Sequence, residues 1–412
     1  MNSIAPTTLV IDTDTGGDPD DAVTVTCAAW LPELAAVITA DEHQGQRAQF
    51  TRHQLDLLGR PDVPVTTGTD LGNTRYWVVQ GMTPAAISVQ PDDVLGTVRR
   101  VCARTSGPVR WVGCGPLTNL AHVLRAAPDL AERLVITQMG GAINYRDPAK
   151  AEHNFRLDPD AARYVLAHAR DLTLVLSDTT FTNEIALYPG HPLVQRLAAP
   201  GAPAWAGLLV EHIDRWATDF GYTSKMHDPL TLSVALGLGF VQLEQRPVVI
   251  AQDGRMSLDP TRGRLVQVST RADYPAFMTW LTTQLTAMEP EAFLHGLGAL
   301  EPEILPLIAE HLRDFDEEML PSLLMADVAR WTSHTAHAAL DPSARLARLL
   351  TRMEQAWGDG HNPVANLIAT SFVENIYDQP HVVRLLGPKL MHYYRAYTGE
   401  AQTNAPLSEG AT

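Results

Sequence analysis

Between Ile11 and Val25 the chain reads IDTDTGGDPDDAVTV, which crowds Asp12, Asp14, Asp18, Asp20 and Asp21 into ten positions. Two unit charges about 4 Å apart repel by roughly 4 kcal/mol at an effective dielectric near 20, so five carboxylates in one turn require a counter-charge. The preceding run TLVID reads as a strand and the following DDAVTVTCAAWL as a helix, with Gly16 and Gly17 permitting a tight turn between them. A helix N-terminus relieves Asp20 and Asp21 by about 0.3–1 kcal/mol each, which is too little. A divalent cation answers the need, and a shell of oxygens alone selects a hard ion, Ca²⁺ or Mg²⁺, over zinc or copper. The plain alternative is an acidic surface turn with Asp20 as the helix N-cap.

The elements that must position this cluster follow from the alternation of short apolar runs with helix-period segments up to about residue 180. LAAVITAD and VPVTTG read as strands flanking the helix QRAQFTRHQLDLLG; VRWVGCG, VITQMGG and LTLVLS continue the series with helices between them. Strands separated by crossover helices predict an α/β fold with a mostly parallel central sheet flanked by helices. Ligands in such sheets sit beyond the carboxyl ends of the strands, where Asp12, Asp14, Asp41, Glu42, the 113–119 stretch and the 139–154 stretch all fall. Residues 240–268 read as a small β segment, and PAFMTWLTTQL as a closing helix. Beyond Pro290 the periodicity is helical, so the expected organisation is an α/β domain over 1–289, an all-α C-terminal domain over 290–400 and a disordered tail over 401–412.

The 412 residues carry 31 basic and 47 acidic side chains, a formal charge of −16 spread along the chain. Such a surface repels nucleic acid and anionic membranes, so neither is an expected partner. Cys27, Cys102 and Cys114 are odd in number and lack metal-type spacing, which argues for a reducing compartment and three buried thiols. No run is long enough to cross a bilayer and the opening MNSIAPTTLVIDTD lacks a leader's pattern, so a cytoplasmic location is expected.

Two enzyme classes use a stretch like the first one. Asp12, Asp14 and Thr15 nearly satisfy the nucleophile motif of haloacid-dehalogenase-like phosphatases, and Asp12, Asp14, Gly16, Asp20, Asp21 and Ala22 match the opening of nucleoside hydrolases. Three later stretches, GPLTNLA at 115–121, AEHNFRLDPDAA at 151–162 and MHDPL at 226–230, resemble in order and separation the later motifs of the inosine/uridine-preferring nucleoside hydrolase family. The phosphatase reading leaves all three unexplained. The resemblance runs from about residue 8 to about residue 286 and excludes the helical C-terminal region.

The resemblance implies roles for individual positions. Asp14, Asp21 and Asp228 match the family's calcium-binding carboxylates, with Ca²⁺ expected ahead of Mg²⁺, and Thr118 matches the residue whose backbone carbonyl completes the protein shell. Asp20 matches the carboxylate beside the sugar, and Glu152 and Asn154 the residues that hold ribose hydroxyls, as Asp228 also does. Asp14 would act as general base on a Ca²⁺-bound water, and His227 would face the base and protonate the leaving ring nitrogen. His122, His168 and His212 sit in helical patterns and read as structural. The implied substrate is a small nucleoside or related N-riboside, and the implied assembly a homo-oligomer, dimer or tetramer.

The chain also departs from the family pattern. Thr15, Gly16, Gly17, Asp18 and Pro19 make a longer first loop, in which Asp18 reads as a solvated turn residue rather than an extra ligand. Ala40, Asp41, Glu42 and His43 stand where the family has Gly-Asn, Asn144, Tyr145 or Arg146 stands for another Gly-Asn contact, and DLGNTRYW lacks a His-Gly stretch. An arginine such as Arg146 at the sugar's 5′ side would favour a charged substituent. The reading is a Ca²⁺-dependent N-ribosyl hydrolase; its rivals are a ribose- or nucleoside-binding regulatory protein that keeps the metal site without efficient hydrolysis, and the phosphatase.

Overall fold

The structure, a computed structural model, describes residues 8–31, 33–200, 202–286, 289–358, 360 and 363–399. The tail expected over 401–412 lies outside them. The chain divides into two compact units, one of residues up to Ala199 together with Ala204–Gln284, the other of Pro200–Pro203 together with Leu285 onward.

The first unit is built on one sheet. In chain order its strands are β1 (Thr8–Thr13), β2 (Leu34–Thr39), β3 (Val65–Thr66), β4 (Val109–Gly113), β5 (Leu134–Met139), β6 (Asp171–Val175), β9 (Val241–Ile250), β10 (Met256–Leu258) and β11 (Arg264–Ala272); β7 (Ala186–Leu187) and β8 (Ser224–Lys225) form a separate ribbon. The nine strands run in the order β10-β9-β11-β6-β5-β4-β1-β2-β3. Every pairing from β3 to β11 is parallel, and only β9 runs antiparallel to its neighbours. The 240–268 region, read as a small β segment, joins that sheet: β11 pairs in parallel with β6, and its hairpin with β9 and β10 extends the sheet to its edge.

Helices cover the sheet because strands such as β1 and β4 are buried on both faces, with Val10, Ile11, Trp111 and Val112 all fully buried. From β1 the chain proceeds to β2 on one side and later to β4 on the other, so the strand order reverses at β1 and a crevice opens beyond the carboxyl ends of β1 and β4. The register sets Asp12 beside Gly113, and the N–H of Cys114 donates to the Asp12 carbonyl at 2.7 Å. Both strands therefore deliver their following loops to one place.

The second unit is helical among its described residues. Its helices Pro290–Leu300, Pro321–Ala338, Pro342–Ala356, Pro363–Ser371 and Pro388–Thr398 each open on a proline, which fits the first turn because the N–H it lacks would have no partner there. Phe293, Leu324, Val328, Leu349, Met353, Ile368 and Phe372 form its buried interior. The buried Glu301 lies 2.9 Å from Arg345 and 3.1 Å from Arg348. Among the described residues no single helix is long and apolar enough to cross a membrane.

Candidate active site

The loop after β1 is shaped by what lies over it. Gly16 has φ 104° and a side chain there would meet the Trp77 ring at 2.6 Å, while one on Gly17 would meet the Tyr76 carbonyl at 2.7 Å. Glycine alone lets the loop pass beneath residues 76–77 and turn into the helix Asp20–Ala29. Pro19, not Asp20, occupies the N-cap, so Asp20 and Asp21 both stand in the first turn.

Asp14, Asp18, Asp20 and Asp21 from this loop, and Asp228 from the start of the helix His227–Ala235, line one cavity of about 600 Å³. Asp21 accepts a 2.5 Å hydrogen bond from the Thr13 hydroxyl and one of 3.2 Å from the Asp14 N–H. The Asp228 N–H donates to Asp20 at 3.3 Å, while Asp228 Oδ1 is buried without a hydrogen-bond partner. Carboxylate oxygens of Asp21 and Asp228 and the sulfur of Cys114 lie within 4.8 Å of one another. Burial first, then mutual repulsion, pushes Asp14, Asp20 and Asp228 well above the usual carboxylate range and Asp21 up to about 6. A hard divalent cation fits this donor set, because an orphaned buried carboxylate oxygen and the charge of its neighbours are what such an ion satisfies. The Cys114 thiol fits it poorly: burial and the same carboxylates raise its pKa, keeping it uncharged, and the carbonyl of that residue accepts from Asn154 at 2.7 Å.

Part of the counter-charge comes from Arg47, which the sequence reading missed. It is buried in the helix Gln46–Leu57, where its guanidinium donates to the carbonyls of Asp14, of Thr15 at 2.8 Å and of Asp41 at 2.7 Å and lies 3.8 Å from the Asp41 carboxylate. A signal existed in the chain: Arg47, Phe50, Thr51, Gln54 and Leu55 fall on the buried stripe of that helix, so an arginine occupies an interior position. Its charge draws the pKa values of Asp14 and Asp21 down against burial.

The remaining expected residues divide. Glu152 and Asn154 line the cavity on the other side, at the start of the helix His153–Leu157. Glu152 caps that helix, accepting from the N–H groups of Gly141 at 2.9 Å, Asn154 at 3.1 Å and Phe155 at 3.3 Å. Asn154 donates to the carbonyls of Cys114 and Met139, at 2.7 and 3.2 Å, so its remaining capacity is the acceptor oxygen. Thr118 does not line the cavity; it opens the helix Thr118–Ala126 and its hydroxyl donates to Asp158 at 2.7 Å. His227 does line it, 2.6 Å from the Thr180 hydroxyl, and burial together with Lys225, Arg146 and His153 pushes it down to about 3, leaving a neutral imidazole.

The departures from the family pattern also find their places. Asp18 is half-buried rather than a solvated turn residue; it accepts from Ser224, and burial raises it to about 7. Glu42 is structural: its oxygens accept from the Thr39 hydroxyl at 2.5 Å, and from the N–H groups of His43 and Ala48 at 2.9 Å and of Arg47 at 3.3 Å, fixing the helix entry. Asp41, buried at φ 45°, stays behind the cavity wall and accepts from Asn73 at 2.9 Å, and Asn73 is the residue that faces inward. Asn144 is pinned to Asp178, which leaves Tyr145 and Arg146 to line the site. His153, Tyr76, Phe181, Trp216 and Tyr222 complete an aromatic wall that no spacing in the sequence announces. His212, read as structural, is so in a particular way: its ring is fully buried and hydrogen-bonds the Gly17 carbonyl at 2.9 Å, holding the aspartate loop from below.

Comparison with known proteins places this geometry. The family model described as inosine-uridine preferring nucleoside hydrolase matches residues 9–291, and one described as a domain of unknown function matches residues 297–400. The pyrimidine-specific ribonucleoside hydrolase RihA of Salmonella paratyphi A is 27% identical over 307 residues, covering 68% of this chain and 92% of the relative. The uncharacterized protein C1683.06c of Schizosaccharomyces pombe is 29% identical over 255 residues, covering 54% and 78%. Among solved structures, the plant nucleoside hydrolase PpNRh1 superposes with a TM-score of 0.58 at 23% identity, covering 68% of this chain and 99% of that one. A purine-preferring ribonucleoside hydrolase from Gardnerella vaginalis gives 0.57 at 22%, covering 68% and 98%. With most of its first unit matched by the family model, on the fold of these structures and with the motif carboxylates gathered in one cavity, the chain belongs to the inosine-uridine preferring nucleoside hydrolase family and is an N-glycosyl hydrolase of ribonucleosides.

Proposed function

We propose that the chain cleaves the N-glycosidic bond of a ribonucleoside or related N-riboside with water as nucleophile, and that Asp14, Asp21 and Asp228 hold a divalent cation, Ca²⁺ ahead of Mg²⁺. The observation that carries this reading is the convergence of Asp228 on Asp14, Asp20 and Asp21 around one cavity, with an Asp228 oxygen buried and unpartnered. When bound, such an ion offsets the carboxylates' charge and lowers the pKa of water beside it. Asp14 then takes the proton from the attacking water as general base. Asp20, in reach of Asp228, stabilises positive oxocarbenium-like charge on the sugar. Glu152 and the acceptor oxygen of Asn154 hold ribose hydroxyls and orient the ring. His227, a neutral imidazole at pH 7, meets the departing base as a hydrogen-bonding group.

The test is sugar release from a panel of purine and pyrimidine nucleosides and a phosphoester, with and without chelator. Chelator-sensitive release of free ribose is the expected result. Binding without release would leave the nucleoside-binding alternative, and phosphate release alone the phosphatase.

A further inference from the structure

We propose that the rim of the cavity is an anion subsite, and that the N-riboside this chain takes carries an anionic oxygen group, a carboxylate or a phosphate, engaged by Arg146, Lys225 and Arg156. The inference rests on the hydrolase reading above. All three side chains line the cavity. The Arg146 guanidinium lies 4.3 Å from the centre of the Phe181 ring and 4.5 Å from that of Tyr145, and Lys225 Nζ lies 4.5 Å from the same Phe181 centre. Arg156 donates to the Ala151 carbonyl at 2.8 Å and lies 3.1 Å from the His153 ring nitrogen.

None of the three has a carboxylate within ion-pair distance among the described residues. Arg52, Arg215 and Arg262, for contrast, stand 2.9, 2.5 and 2.6 Å from carboxylates. Contact with an aromatic face holds a cation in place without neutralising it. Lys225 also faces the charge of Asp18, whereas the deeper Asp14 and Asp21 take theirs from Arg47. The rim cations also stand at the right end. Phe181 stacks on His227 with ring centres 6.1 Å apart, and His227 adjoins Asp228. With the sugar diol at the carboxylates, a substituent on the base or on the sugar's 5′ carbon extends toward these cations. Guanidinium forks match carboxylate and phosphate oxygens in pairs, which a neutral nucleoside cannot exploit.

The experiment measures kcat/KM by release of free base from uridine, uridine 5′-monophosphate and uridine carrying a carboxylate on its base, with inosine and its 5′-monophosphate as a second pair, on the full chain with Ca²⁺. The expected result is that one anionic class exceeds its neutral parent at least fivefold, which also tells the sugar end from the base end. That preference should fall at least fivefold in the double variant Arg146→Gln, Lys225→Gln. A smaller preference, or one unchanged in the variant, overturns the subsite while leaving the hydrolase reading intact. Should no riboside be cleaved, the hydrolase reading fails by itself, and calorimetric binding of the same compounds to the full chain decides the subsite by the same fivefold criterion.

Discussion

The N–H of Asp228 donates to the carboxylate of Asp20 at 3.3 Å although 208 positions separate the two residues in the chain. That bond joins the loop after β1 to the helix His227–Ala235, and it turns the backbone of Asp228 toward one carboxylate while its own Oδ1 stays buried and unpaired. A buried charge left this way costs several kcal/mol unless it is protonated or ligated. The fold thus stores repulsion at the crevice that a cation or a proton must relieve, and the consequences are measurable.

Replacing the base is the first. Asp14→Asn preserves the shape of a side chain whose pKa burial and Asp21 push upward, and removes its ability to accept a proton. Turnover should fall by about 10²–10⁴-fold, the usual contribution of general acid–base catalysis. The melting temperature of the metal-free protein should hold or rise, since one member of a repelling group becomes neutral. Sugar release and thermal unfolding measured on the same preparation check this, and full turnover in the variant removes Asp14 from the mechanism.

Metal and pH should act together on stability. Asp12, Asp18 and Asp21 are raised to about 8, 7 and 6, and Asp14, Asp20 and Asp228 are raised as well. The folded state therefore holds more protons than the unfolded one, and the metal-free protein should lose stability as pH climbs from about 4 toward 8. Added Ca²⁺ should reverse that trend, raising the melting temperature at pH 7.5 by roughly 5–10 °C at a hundredfold excess over its dissociation constant and by less at pH 5. Melting curves across pH with and without Ca²⁺ test it; a shift that is the same at both pH values contradicts it.

Arg47 should prove as costly to lose as any aspartate. Arg47→Ala takes the ion-pair partner from Asp41, a donor from three backbone carbonyls and the cation that draws Asp14 down against burial, a change expected to destabilise by about 3–5 kcal/mol. Arg47→Lys restores the charge without the planar fork and should recover only part of the loss. Denaturant unfolding of the two variants orders them, and equal stability of all three proteins would show that the fork does not matter.

The sheet and the carboxylates were legible in the chain for different reasons. Strands such as LVITQM and helices such as DPDAARYVLAHA declare themselves by period, and Asp14, Asp20, Asp21 and Asp228 by motif order. The β9–β11 hairpin read correctly as strands but not as part of the main sheet, because pairing β11 with β6 is a long-range choice that no local period encodes. The aromatic wall failed to show for the same reason. Tyr76 lies in a long irregular stretch after β3, Phe181 after the short helix Ser177–Thr180, and Trp216 and Tyr222 at the end of the helix Ala204–Phe220, and only the packed fold brings them together. Glu152 shows a further limit: a motif residue can be both a helix cap and a cavity wall, and sequence reports just one of these.

His227 separates two ways of activating the leaving base. Lowered to about 3 by burial, Lys225, Arg146 and His153, its ring keeps a single N–H and carries no imidazolium proton between pH 5 and 8. As a hydrogen-bonding group it contributes about 1–1.5 kcal/mol, so His227→Gln should reduce kcat about tenfold and leave the shape of the kcat–pH profile between 5 and 8 unchanged. A true general acid behaves otherwise: kcat of the parent protein falls above the imidazole's pKa in the substrate complex, and the variant loses that limb. Profiles of the two proteins on one nucleoside, taken at saturating Ca²⁺, distinguish these outcomes, and the appearance of a His227-dependent basic limb would overturn the neutral-imidazole assignment.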